Sequence, residues 1–152
     1  MNIRSLLAEP NRKWRTRAPA DEAKIADLIR EAQISLPAEY LDLLRVTDGG
    51  EGNIALSPLY LQLYSVDECI ETLRDPSVKY CLESPDALNR PANPDFFIFA
   101  SNGGLESIAF DLRCGSTRPV VMIDLIAGSE SAKQIAPDIV TFINAIGLEA
   151  GQ

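Results

Sequence analysis

Apolar residues recur at helical spacing in four parts of the chain. After Ala20 and after Pro37 they form stripes, with charged residues on the opposite side, as in an amphipathic helix. Ser65 and Glu68 have the spacing of a capping box, which predicts the start of a third helix. Pro137 suits the first turn of a last helix, because the amide that proline lacks would be unpaired there. An additional helical turn is expected at Ile3–Ala8.

Five shorter runs have the character of strands. The run Glu106–Leu112 alternates, with Ile108 and Phe110 on one face and Ser107, Ala109 and Asp111 on the other. The other four are residues 53–57, 60–64, 96–100 and 118–125. Asn102-Gly103 is typical of a two-residue hairpin turn. Four prolines between residues 76 and 95 predict a long surface loop.

The order of these elements predicts an α+β fold. A mostly antiparallel sheet would carry helices mainly on one side. A chain of 152 residues is most simply one domain. Residues 1–18 lack sustained periodicity and contain a basic run, so we expect an N-terminal arm over residues 1–18 and a single domain over residues 19–152.

The composition limits the chemistry. The chain has no histidine, which excludes Ser-His-Asp and Cys-His nucleophile systems and every histidine-ligated metal site. Three cysteines at irregular spacing fit neither a disulfide framework nor a zinc ribbon, and indicate reduced thiols. We find no apolar run of membrane-spanning length and no signal-peptide core. We therefore expect a cytoplasmic protein without metal, cofactor or catalytic residues.

Charge is unevenly distributed along the chain. The net charge is −8, but residues 1–30 carry a local +3 and residues 31–152 a local −11. An acidic body repels phosphate backbones and anionic lipid and attracts basic partners. An acidic surface can also serve only to keep the protein soluble. We accordingly expect a protein partner and neither nucleic acid nor a membrane surface.

Two glycine turns and one basic segment are candidate functional motifs. The turn at residues 48–53 (DGGEGN) could stop a helix, contact a partner or hold a cation, although its spacing does not match an EF-hand loop. The turn at residues 102–104 (NGG) is followed by a strand and lacks the Lys-Ser/Thr of a phosphate loop. The segment at residues 12–17 (RKWRTR) could bind nucleic acid, or Trp14 could pack on the domain while its cations pair with surplus carboxylates.

Catalysis without histidine is an alternative that the residues support weakly. Cys114 has Arg113 beside it, and positive charge can lower the pKa of a thiol. Paired carboxylates can also do acid–base work, but with 22 acidic residues almost any pair qualifies. We therefore expect no enzyme.

From Pro19 to Gly147 the chain resembles the SUKH superfamily of Smi/Knr-type domains. The resemblance begins with an acidic first helix, followed by LPAEYLDLL and the DGGEG turn. It continues with LYLQLYSVDECIETL and the hairpin FIFASNGGLESIAFDLR, in which the apolar strand after the Gly-Gly turn ends in Asp111. PVVMID and IAPDIVTFINAI resemble the last strand and closing helix of the family. Asp48 stands where the family often has Asn, and the Trp14 arm lies outside the match.

This resemblance implies a SUKH-type α+β domain that binds proteins. Bacterial members are commonly immunity proteins that neutralise toxins, often nucleases, and fungal members include regulators of cell-wall assembly. The family has no established catalytic residues, and its recurring glycines look structural. We expect an immunity protein whose acidic surface covers a basic toxin, with Asp48, Glu51, Glu106 and Asp111 as contact residues at turns and strand ends. A regulatory or scaffold module that binds an endogenous protein or a small ligand is the alternative.

Overall fold

The computed structural model describes residues 1–78, 95–113, 115 and 117–150, and it has the predicted α+β architecture. Its helices are α1 (Ile3–Leu7), α2 (Glu22–Ala32), α3 (Ala38–Val46), α4 (Val66–Arg74) and α5 (Ile139–Ala145), with a 3-10 turn at Ser129–Ser131. Its strands are β1 (Trp14–Thr16), β2 (Gly50–Asn53), β3 (Tyr60–Leu63), β4 (Phe96–Ser101), β5 (Glu106–Asp111), β6 (Val120–Asp124) and β7 (Lys133–Ala136).

All seven strands form one antiparallel sheet whose spatial order is the chain order, β1 to β7. Antiparallel neighbours can be joined by short hairpins, as β4 and β5 are, but here α2 and α3 lie between β1 and β2, and α4 lies between β3 and β4. The pairing between β4 and β5 contains a bulge between Ile98 and Ala100. The strands β1 and β7 form the two edges of the sheet.

The main core lies between the helices and one face of the sheet. Tyr40 of α3 stands at its centre, with its ring centroid 5.3 Å from that of Phe99 and 5.4 Å from that of Phe110. Phe142 of α5 meets Phe99 edge to face at 5.5 Å. Aromatic pairs at these separations contribute about 0.5–1.5 kcal/mol beyond the area that they bury. These contacts hold α3 and α5 against the middle of the sheet.

The opposite face of the sheet divides into an apolar half and a polar half. Its apolar half is a second buried cluster made of Phe96, Ile98, Ala109, Val121 and Ile123. In the polar half, strand pairing aligns Arg15, Glu51, Gln62 and Ser101 across four strands. The alternation predicted for residues 106–112 is confirmed, since Ile108 and Phe110 join the main core and Ala109 the second cluster.

Several local predictions are confirmed and others are wrong. The capping box is present: the Glu68 amide donates to the Ser65 hydroxyl at 3.2 Å, and the Ser65 amide donates to the Glu68 carboxylate at 3.1 Å. The second strand is Gly50–Asn53 and begins within the glycine turn, so the strand predicted over residues 53–57 is wrong beyond Asn53. Strands β1 and β7 were not predicted, because they are only three and four residues long and mix charged, polar and apolar side chains without a sustained alternation. Most of the predicted loop, residues 79–94, lies outside the described residues, as do Cys81 and Cys114.

Candidate functional site

The first glycine turn connects α3 to β2 and is enclosed by backbone. Gly49 and Gly50 have φ of +94° and +126°, in the region that side chains rarely adopt. A Cβ on Gly50 would lie 2.6 Å from the Arg15 carbonyl and 2.8 Å from the Trp14 ring, and one on Gly49 would lie 3.0 Å from the Leu63 carbonyl. These glycines therefore allow β1 and the Trp14 ring to approach β2. The fold itself requires them.

Asp48 connects this turn to a helix. Its carboxylate accepts a hydrogen bond of 2.7 Å from the backbone amide of Val66, in the first turn of α4. That amide has no partner within its own helix. The positive end of the helix dipole also stabilises the negative charge of the carboxylate. The Lys24 ammonium lies 3.9 Å from the same carboxylate. The Asp48 side chain is only 14% exposed. The structure thus gives Asp48 an internal role.

Glu51 lies on the polar half of the outer face. Its carboxylate accepts a hydrogen bond from the Tyr60 hydroxyl, and Arg15 lies 3.2 Å away. The Tyr60 hydrogen bond and the charge of Arg15 outweigh partial burial and hold the pKa of Glu51 below its ordinary value of 4.5. The same hydrogen bond raises the pKa of Tyr60. Glu51 is 29% exposed, so part of its carboxylate still faces solvent.

The cations of the basic segment are paired with the domain. Arg12 donates to the carbonyls of Asn144 and Ile146, at 2.9 and 2.7 Å, where α5 ends. Lys13 pairs with Glu149 at 2.9 Å, and Arg17 lies 3.6 Å from Glu68. Trp14 packs against the main core. The hypothesis that the tryptophan packs while its neighbours neutralise carboxylates is confirmed.

Asp111 lies at the far end of β5 and is only 8% exposed. Its carboxylate accepts from the backbone amide, Nε and Nη2 of Arg113, each at 3.0 Å. The guanidinium of Arg113 also lies 4.7 Å from the centre of the Phe96 ring. Burial alone would raise the pKa of Asp111, but the Arg113 hydrogen bonds and charge lower it overall. Asp111 therefore holds Arg113 in place at the end of β5.

Glu106 stands in a more open setting, beside the second glycine turn. Asn102 shapes that turn by accepting from the amides of Gly104 and Glu106, at 2.8 and 3.3 Å. Glu106 is directly opposite Asp124 of β6, whose carboxylate accepts from the Ile126 amide at 2.9 Å. Among the described residues, the Glu106 carboxylate has no hydrogen-bond or ion-pair partner.

The four predicted contact residues do not form one cluster. Asp48 and Glu51 flank the first turn, whereas Glu106 and Asp111 stand at opposite ends of β5, about 17 Å apart for a strand of this length. The sequence interpretation missed four exposed apolar side chains at the Glu106 end of the sheet, namely Leu59, Tyr60, Leu105 and Ile126. Their positions beside turns could have indicated that they are exposed. The pattern of apolar residues alone predicts that such side chains lie in the core.

The described part of the chain offers few reactive groups. Within it, no three or more His, Cys, Asp or Glu side chains gather as metal ligands would. Cys69 is fully buried and lies 3.4 Å from the Tyr40 hydroxyl, and burial raises the pKa of its thiol to about 12. None of the helices in this part has both the length and the apolar character needed to cross a bilayer.

A comparison with models of known protein families identifies the family of this chain. The model of the SMI1 / KNR4 family (SUKH-1) matches residues 19–145. The chain belongs to the SMI1/KNR4 family. The SMI1/KNR4 match begins after β1, so this edge strand and the Trp14 contact lie outside it although they are part of the sheet. A search among curated proteins finds no match. Membership in the SMI1/KNR4 family is consistent with an immunity-type or regulatory module.

Proposed function

We propose that this chain is a non-enzymatic immunity protein that binds and neutralises a cognate toxin with a basic surface, such as a nuclease. Membership in the SMI1/KNR4 family is the observation that carries the proposal. The net charge of −8 supports its electrostatic part. A partner that binds nucleic acid must present cations, and an acidic protein speeds association with such a surface.

The pairing of the basic segment strengthens this argument. Because Arg12, Lys13 and Arg17 are engaged with the domain itself, they do not form a separate cationic patch. The acidic excess of residues 31–152 therefore dominates the field that a partner meets. A localised basic patch would have argued for an anionic ligand.

The four acidic residues differ in how much of each is available to a partner. Asp48 and Asp111 are largely buried and hold internal hydrogen bonds. Glu51 and Glu106 are partly exposed at β2 and β5. We propose Glu51 and Glu106 as the primary contacts, with Asp48 and Asp111 acting mainly by keeping the adjacent turns and strand ends in place.

The test is co-expression with the product of the neighbouring open reading frame, which is the candidate toxin. The chain should restore growth, and a catalytically inactivated form of that toxin should bind it with an affinity that falls as salt rises. Glu51→Lys and Glu106→Lys should weaken binding. Glu71→Lys is the matched control, because Glu71 is exposed on α4.

The possible outcomes separate the parts of the proposal. Binding that is insensitive to salt and to both charge reversals would refute the electrostatic part and leave the immunity role. Neither binding nor rescue would refute the immunity role and favour a regulatory or scaffold module.

A further inference from the structure

Exposed apolar side chains concentrate at one end of the sheet. Among the described residues, six large hydrophobic side chains are exposed, and four of them lie at this end. The four are exposed by 56%, 38%, 74% and 83%, for Leu59, Tyr60, Leu105 and Ile126 respectively. Single exposed hydrophobics are ordinary, but a group of them beside polar residues marks an interaction site.

Strand pairing brings these residues together. A Cβ on Gly103 would lie 3.5 Å from the Tyr60 ring, so the second glycine turn is next to the start of β3. Leu105 precedes Glu106, which pairs with Asp124, and Ile126 follows in the same turn as Asp124. Neighbouring strands are about 4.8 Å apart, so β3 to β6 place these side chains along one edge about 15 Å long. We call this surface, made of Leu59, Tyr60, Leu105, Glu106, Asp124 and Ile126, the sheet-end rim.

Leu59 adds an independent observation. Its φ is +77°, a conformation that glycine or asparagine adopts far more readily than leucine. Its amide donates to the Leu56 carbonyl at 2.7 Å and its own carbonyl accepts from the Ile54 amide at 3.3 Å, so the backbone is fixed in this conformation. A leucine here is unfavourable both for the backbone and for its exposed side chain. Strain retained at the surface is characteristic of functional sites.

The sheet-end rim is predominantly acidic. Its neighbouring cations are Arg15, which pairs with Glu51 beside Tyr60, and Lys133, which lies opposite Met122 on the edge strand. The segments that form the sheet-end rim, residues 53–62, 101–106 and 122–131, contain Glu106, Asp124 and Glu130 and no Lys or Arg. Glu106 and Asp124 are also direct cross-strand partners, an arrangement that disfavours the free protein because like charges face each other. A cation supplied by a partner would relieve this repulsion. A second copy of this chain would bring further negative charge to the same place.

We propose that the sheet-end rim is the docking surface for the protein partner, and that the partner presents an apolar patch bordered by Lys or Arg side chains. This inference rests on the proposed function and assigns it a location. The four apolar side chains form the centre of the contact, and Glu106 and Asp124 supply its charged border. Such a division between an apolar centre and a polar border is usual for protein interfaces.

The test uses titration calorimetry to measure binding of a catalytically inactivated form of the candidate toxin, the product of the neighbouring open reading frame. Leu59→Asn, the pair Leu105→Ser with Ile126→Ser, and Glu106→Lys should each weaken binding by about tenfold or more, as hot-spot residues do. Leu59→Asn should do so with an unchanged or raised melting temperature, because asparagine tolerates this φ. Ile29→Gln on α2 and Glu71→Lys on α4 are the matched apolar and charge controls, and should change affinity less than about twofold.

Each outcome decides between the proposals. If the toxin binds the native chain and all rim variants equally, the docking surface is wrong while the immunity function stands. If the native chain does not bind the toxin, the immunity function fails and this inference with it. If sedimentation shows a dimer of the native chain that the rim substitutions dissociate, a second copy occupies the rim and a basic partner is ruled out there.

Discussion

Two glycine pairs that look alike in the sequence occupy opposite environments in the protein. Gly49 and Gly50 are enclosed by β1, β3 and the Trp14 ring, so that any Cβ on Gly50 would collide with backbone. Gly103 and Gly104 lie in an open hairpin, where an added Cβ would meet its nearest neighbours at 3.5 and 3.4 Å. The first turn is a packing requirement of the fold. The second turn shapes an exposed end of the sheet.

The carboxylates beside the two turns follow the same division. Asp48, beside the enclosed turn, accepts a hydrogen bond from the Val66 amide and forms an ion pair with Lys24. Glu106, beside the open turn, has no partner among the described residues and faces Asp124. Function is therefore better sought where the carboxylate is left available than where the turn motif is most recognisable. The predictions below test this contrast, from the largest effect to the smallest.

Gly50→Ala should be the most damaging substitution. It forces a side chain into a backbone with φ of +126° and 2.6 Å from the Arg15 carbonyl. Conformational strain and overpacking together should reduce the free energy of unfolding by about 3 to 5 kcal/mol. Chemical denaturation measures the loss. Gly104→Ala is the control and should change it by less than about 0.5 kcal/mol, because the site is open and its φ is not positive. Equal losses would contradict the contrast between the turns.

Asp48→Ala should have the next largest effect. It leaves the Val66 amide without its acceptor at a site where the side chain is only 14% exposed. The free energy of unfolding should fall by about 1 to 2 kcal/mol. Asp48→Asn keeps an oxygen acceptor and should recover most of that loss. If the Asn and Ala variants are equally destabilised, the charge of Asp48 matters more than its hydrogen bond.

The main course of the fold could be predicted from local patterns. The helices, the capping box at Ser65 and the hairpin at Asn102 each depend on residues within a few positions of one another. Strands β1 and β7 could not be predicted in this way. Arg15 and Lys133 become strand residues because β2 and β6 offer unpaired edges to them, which is a property of the assembled sheet.

The candidate site was less predictable for the same reason. The hydrogen bond from Val66 to Asp48 joins residues 18 positions apart, and nothing local to the turn indicates it. Leu105 and Ile126 are of residue types that usually lie in a core, and only the tertiary structure shows that they are exposed. Sequence patterns identify which residues are apolar, but not which apolar residues the sheet leaves uncovered.

A smaller effect should appear in the pH dependence of stability. Since hydrogen bonding to Tyr60 lowers the folded pKa of Glu51 below 4.5, its contribution is present above the unfolded pKa and is lost as the pH falls through the folded value. Native protein should therefore exceed Glu51→Gln in stability at pH 7, and the difference should shrink toward pH 3. Thermal unfolding across this range measures it. Tyr60→Phe should weaken the pH dependence in the same way, and a difference that is constant with pH would refute the assignment.

The smallest effect on folding should come from Leu105→Ser, beside the open turn. Leu105 is 74% exposed, so its removal uncovers little buried surface, and stability should change by less than about 0.5 kcal/mol. Leu61→Ser on β3 is the contrasting control, because a fully buried leucine replaced by a polar residue should cost about 3 kcal/mol or more. If Leu105→Ser is as destabilising as Leu61→Ser, Leu105 belongs to the core and the sheet-end rim loses its centre. A stable variant that binds poorly would instead separate the two regions completely, since one would serve folding and the other recognition.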